Sequence, residues 1–177
     1  MKFKTNEMIK ASFFIALGLV IPIMFHHLNM GGQIFLPMHI PVLLCGCILG
    51  KKYGAIIGFM TPLLNSMLTG MPPIYPTALS MALELATYGF ISGYFYKSKN
   101  VNIILSLLIA MLLGRFVSGT ANFLLLSMTG KPYAFKMFIT ASFVTPILGI
   151  ILQLIFIPTI VKSLDKIQTR NGVTFNG

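Results

Sequence analysis

Apolar residues fall along this chain in six blocks, about 7–25, 34–49, 53–68, 76–96, 101–128 and 138–161, divided by short polar or basic links. A helix that crosses the hydrocarbon core of a bilayer needs about 20 mostly apolar residues, with a range near 17 to 25. The first block closes at Pro22 and His26-His27. The second holds Pro37 and Pro41, so its early part is expected to be irregular or kinked. The third is short and ends in Thr69-Gly70-Met71-Pro72-Pro73, which cannot be helical throughout. The fourth opens on Pro76, where proline is tolerated, and the fifth is long enough to span with tilt. The tail from Lys162 is polar. This pattern predicts an all-α integral membrane protein: one membrane domain over residues 1–177, a bundle of six transmembrane helices, and no soluble catalytic domain. Lys2, Lys4 and Lys10 before Ala11 to Phe25 imitate a secretory leader. No small-residue cleavage site follows, so the run reads as the first membrane helix.

Composition fits that reading. Hydrophobic residues make up 56% of the chain and charged residues 9%, against roughly 25% charged in a soluble domain. The net charge is +10. The basic residues lie in short clusters between apolar runs rather than on a polar face, which excludes a nucleic-acid partner and suits the edges of a bilayer. The N-terminus, the links after blocks two and four, and the tail hold ten Lys or Arg; the opposite links hold only Lys131 and Lys136. By the positive-inside rule both termini are cytoplasmic, in a multi-pass protein of the cell membrane. Cys45 and Cys47 lie in an apolar run without a second pair, so they read as small core residues. His26, His27 and His39 have no accompanying carboxylate, and adjacent histidines on a helix point about 100° apart. No metal and no cofactor are expected.

Two ionisable residues lie deep in apolar blocks, Glu84 and Arg115. Each costs roughly 2.5–3.5 kcal/mol on an insertion scale, so such residues face a polar interior. Counted from the outer ends of their blocks they lie roughly 12 and 18 Å deep, close enough to meet or to flank one cavity. Two readings stand side by side: a ligand site, where Arg115 suits a carboxylate or phosphate, and a structural ion pair. Helical spacing adds three polar stripes: Thr77, Ser80, Met81, Glu84 and Tyr88; Arg115, Ser118, Gly119 and Asn122; Ser142, Pro146, Gly149 and Gln153. They could converge on a cavity, or simply bond between helices for around 0.6 kcal/mol each. Gly46, Gly50, Gly54 and Gly58 recur every four residues across Lys51-Lys52, which suggests two close-packing patches on either side of a tight turn. The stiff segment Gly70 to Pro76 could carry Tyr75 as a lid or form a re-entrant turn. No phosphate-binding Gly-x-x-x-x-Gly-Lys-[Ser/Thr], no His-Glu-x-x-His and no Gly-x-Ser-x-Gly occurs, so neither ATP hydrolysis by that loop nor the corresponding enzyme chemistry is available.

The stretch Phe35-Leu36-Pro37-Met38-His39-Ile40-Pro41-Val42-Leu43-Leu44, then Leu49-Gly50, Tyr53-Gly54-Ala55, Gly70-Met71-Pro72-Pro73 and Met81-Ala82-Leu83-Glu84-Leu85-Ala86-Thr87-Tyr88-Gly89 resembles the substrate-binding S components of energy-coupling factor (ECF) vitamin transporters. Length, six spans and inside termini agree with it over nearly the whole chain. The resemblance implies a subunit that binds a vitamin or its precursor from outside, then joins a membrane coupling protein and two cytoplasmic ATPases, topples in the bilayer and releases its cargo inside. It implies docking through small residues at four-residue spacing on the first helix, here Ser12 and Ala16 with Ala11 beside them; serine at the first position departs from the usual alanine but is still small. It also implies a ligand site drawn from the loop after helix one, the loop before helix four, and helices four to six. Carried onto this chain, that selects Gln33, His39, Tyr75, Glu84, Tyr88, Arg115 and Asn122.

The likeness is nearest to members for pantothenate or for pyrimidine- and pyridine-type vitamins. Arg115 would suit the carboxylate of pantothenate, which is the favoured substrate; pyridoxine, hydroxymethylpyrimidine and niacin are the alternatives. A stand-alone proton-coupled carrier with Glu84 as relay is a second class of function. A lipid-modifying membrane enzyme is a third, disfavoured by the missing motifs.

Overall fold

The computed structural model describes residues 5–27, 32–129 and 135–170. Among them every regular element is helical. The helices are α1 (Thr5–His27), α2 (Gly32–Phe35), α3 (His39–Leu49), α4 (Lys51–Thr69), α5 (Leu79–Ser92), α6 (Ile103–Met128), α7 (Phe135–Ile139) and α8 (Ile147–Arg170). A wider turn over Gly93–Ser98 extends α5 at its end, Ile74–Ala78 leads into it across a kink at Tyr75 (φ −116°, ψ 132°), and Thr140–Val144 leads from α7 toward α8. Three stretches are long and apolar enough to cross a membrane on their own: Thr5–Phe25, Ile103–Met128 and Thr140–Lys166.

The second apolar block is broken where its prolines forecast. α2 stops at Phe35, Leu36 takes a left-handed φ of 51°, and His39 N–H closes the turn on the Leu36 carbonyl at 3.1 Å. A left-handed leucine costs on the order of 1–2 kcal/mol, which the burial of its side chain offsets. α3 is therefore only 11 residues long. A single residue, Gly50 at φ 93°, joins it to α4, and glycine is what that φ requires.

α5 is the hub, packed between α4 and α6 and also against α3. Glycine makes this possible. A side chain on Gly46, Gly54 or Gly58 would overlap the backbone carbonyls of Gly89 or Leu85, and one on Gly93 would meet the Gly46–Lys51 backbone. The four-residue glycine stripe is thus two patches, one on α3 and one on α4, both pressed against α5. Contact this close gives dispersion and packing their full effect where water supplies no hydrophobic drive. α1 leans on α3 and α4, tied by a hydrogen bond from Asn65 Nδ2 to the Gly18 carbonyl at 2.8 Å. At the basic end of the bundle, Lys97 Nζ donates to the Ile48 carbonyl at 2.7 Å and Tyr96 Oη to Asp165 at 2.6 Å. Lys51 lies 4.9 Å from the centre of the Tyr94 ring. Asn102 caps α6 by accepting from Ile104 N–H at 3.0 Å.

Candidate functional site

The site is built where α3, α5 and α6 converge. Glu84 lies in the middle of α5, on the face turned to α3 and α6, and is buried. Arg115 enters from α6 and places Nη1 2.8 Å from Glu84 Oε1. His39, in the first turn of α3 just past the Leu36 break, brings Nε2 to 3.6 Å from the same oxygen, longer than a hydrogen bond. Its ring meets the Tyr88 ring edge-on at 5.3 Å, and the Arg115 guanidinium stands 5.9 Å from the centre of that ring. All four side chains are buried.

Two polar neighbours extend the cluster along α6. Ser118 is buried one turn beyond Arg115, and Asn122 donates through Nδ2 to the Ser118 carbonyl at 2.9 Å. Gly114 explains why α6 comes so close: a side chain there would run into the Tyr88 ring.

The pairing leaves much of the guanidinium unused. Arg115 Nε and Nη2 are buried and have no hydrogen-bond partner among the described residues; the same holds for His39 Nδ1. Nε and Nη2 form one edge of the planar fork, the edge that grips a carboxylate with two parallel bonds. Glu84 thus holds the arginine by one corner and leaves a bidentate donor edge without an acceptor among the described residues.

Of the residues selected from sequence, His39, Glu84, Tyr88 and Arg115 come together. Asn122 stands two turns along α6, beyond Ser118. Tyr75 is exposed and donates its hydroxyl to the Leu125 carbonyl at the end of α6, apart from the buried cluster. Gln33 lies in α2, but its side chain is outside the described residues, as are those of His26 and His27. No metal-ligating group of three occurs among the described residues. On α1, Ser12 and Ala16 are exposed in a stripe with Met8, Val20 and Met24, while Ala11 is buried and turned inward. Sequence reasoning passed over Gly114, whose only signal was a small residue beside an intramembrane arginine. It noted Gln153 only as part of a stripe; that side chain is fully buried, with neither amide atom hydrogen-bonded among the described residues.

Comparison with known proteins places these features. Residues 6–161 match the family model described as ECF transporter, substrate-specific component. No curated protein and no solved structure matches the chain. The match covers the long apolar helices and the whole buried cluster. The chain belongs to the substrate-specific components of ECF transporters, membrane proteins that bind a small molecule for transport and are not enzymes.

Proposed function

We propose that this chain captures a carboxylate-bearing vitamin, with pantothenate favoured, from outside the cell, and that Arg115 holds the carboxylate. The observation that carries this reading is the buried Nε/Nη2 edge of Arg115, without an acceptor among the described residues. A guanidinium already touching Glu84 still presents two parallel donors, and a ligand carboxylate is the group that fits them. Glu84 lowers the cost of holding Arg115 in the membrane while the site is empty. His39 and Tyr88 wall the pocket; Asn122, Tyr75 and Gln33 contact the ligand further out.

In this reading the chain is one membrane domain of six spans, about 7–25, 34–49, 53–68, 76–96, 101–128 and 138–161, in the cell membrane. Both termini are cytoplasmic, as the ten-to-two division of basic residues supports. The exposed Ser12 and Ala16 dock the coupling protein of a module with two ATPases; Ala11 beside them is packed inward.

Binding and uptake measurements test this. The purified chain in nanodiscs should bind pantothenate tightly, and liposomes should import it only when the coupling protein and ATPases are added with ATP. Uptake by the chain alone under a pH gradient, lost in Glu84→Gln, would replace this reading with a proton-coupled carrier.

A further inference from the structure

Gln153 lies on α8 with no exposed surface, and neither its Oε1 nor its Nε2 has a hydrogen-bond partner among the described residues. A primary amide buried among apolar helices is costly unless something bonds to it.

Two contacts fix the register of α8 along α2 and α3. Gly149 faces the backbone of Ile34 and Phe35, and Leu164 shares a groove with Ile48 at the far end. The two segments therefore run in the same direction. Gln153 lies one turn past Gly149 on α8, and His39 lies four residues past Phe35 across the Leu36 break; both fall between the two contacts and near the same one, so they stand at about the same depth. At that depth His39 faces Glu84, which holds Arg115. The register brings a fourth helix, with an unused amide, to the layer of the buried cluster.

Of the unused atoms in that layer, which also include the His39 ring nitrogens, the Tyr88 hydroxyl and Gln153 Nε2, those of Arg115 and Gln153 Oε1 bear on the ligand. Arg115 Nε and Nη2 are donors, and a carboxylate satisfies both. Gln153 Oε1 is an acceptor, which a carboxylate cannot satisfy. We propose that Gln153 is a specificity residue that reads a hydroxyl or amide on the same ligand, so that the site selects a carboxylate carrying its own hydrogen-bond donor over a simple carboxylate. The carboxylate half of this inference rests on the function proposed above; the role of Gln153 does not.

The test uses the full chain in nanodiscs, with Gln153→Leu and Arg115→Ala beside the wild type. Four probes are compared: pantothenate (carboxylate, amide and hydroxyls), nicotinate (carboxylate without a donor), and pyridoxine and thiamine (donors without a carboxylate). Without ligand, Gln153→Leu should melt at or above the wild type, because it removes a buried amide that nothing satisfies. Its affinity for pantothenate should fall about tenfold or more, and nicotinate should bind the wild type more weakly than pantothenate does. A ligand-free Gln153→Leu protein that melts several degrees lower would mean the amide is paired inside the protein, and would overturn the proposal. So would unchanged affinity for whichever probe the wild type binds. If Gln153→Leu loses pantothenate while Arg115→Ala keeps it, the carboxylate reading fails and the Gln153 assignment stands. If only pyridoxine or thiamine binds, the carboxylate reading also fails, and loss of that ligand in Gln153→Leu decides for Gln153. If no probe binds, the ligand-free melting points decide.

Discussion

Arg115 touches the Glu84 carboxylate through Nη1, at 2.8 Å, and leaves Nε and Nη2 without a partner among the described residues, although both side chains are buried. A purely structural pair would be expected to engage the fork from both sides, since an unused buried donor costs about 1–3 kcal/mol. The free donor edge is what the proposed ligand-binding role of Arg115 requires and a purely structural brace does not. Replacing Glu84 by Gln separates the two roles. Breaking a buried pair costs about 3–5 kcal/mol, so the ligand-free variant should melt well below the wild type. A bound anion should restore part of that loss, giving Glu84→Gln a larger ligand-induced shift in Tm than the wild type. A melting point unchanged from the wild type would show that the pair carries no such weight.

Gly114 sets the distance between α5 and α6 at the site. A methyl group there would strike the Tyr88 ring, and overpacking of this kind costs about 1–3 kcal/mol. Gly114→Ala should therefore lower thermal stability and weaken ligand binding together. Gly114→Ala combined with Tyr88→Leu should recover stability but not affinity. Wild-type melting and affinity in Gly114→Ala alone would show that α6 is free to back away.

The α4–α5 interface leaves less room. A side chain on Gly54 would overlap the Gly89 carbonyl and the Gly46 backbone, and these are main-chain atoms that no rotamer change can move aside. Gly54→Val should fail to give a monodisperse, ligand-binding protein on gel filtration in detergent. Ile56→Val, on the exposed side of the same helix, should elute and melt as the wild type does. Normal elution and melting of Gly54→Val would refute the close backbone contact.

The outward stripe of α1 is separable from the pocket. Ser12 and Ala16 are exposed, whereas Glu84 and Arg115 lie buried between other helices. Ser12→Trp or Ala16→Trp should leave vitamin affinity unchanged and abolish co-purification with the coupling protein and ATPases. Co-purification at wild-type yield would move the docking surface elsewhere on the molecule.

Much of this was legible in the residues because a bilayer imposes few solutions. Glu84 and Arg115 stood out because a charge within an apolar block must find a polar partner, and counting depth along each helix put them close enough to meet. The glycine stripe read correctly as two patches because Lys51 and Lys52 had to lie at a membrane edge. His39 came from the family resemblance; no sequence period shows that a broken turn at Leu36 points it at Glu84. Gln153 and Gly114 were hidden for a different reason. One gains its meaning from the register of α8 against α2 and α3, the other from the ring of Tyr88 on a neighbouring helix, and both are contacts between segments far apart in sequence. Tyr75 belonged to the same proline-rich segment as the lid reading, but its hydroxyl is taken by the Leu125 carbonyl, a tertiary partner that local sequence does not announce.

The most direct test of the central claim is native mass spectrometry of the gently purified chain beside Arg115→Ala. The wild type should carry one small molecule, and that molecule should contain a carboxylate. Folded Arg115→Ala should have lost it, with affinity weakened by about 1.5–3 kcal/mol as for a missing charge-assisted hydrogen bond. A folded Arg115→Ala protein that keeps the same molecule at wild-type occupancy would contradict the account.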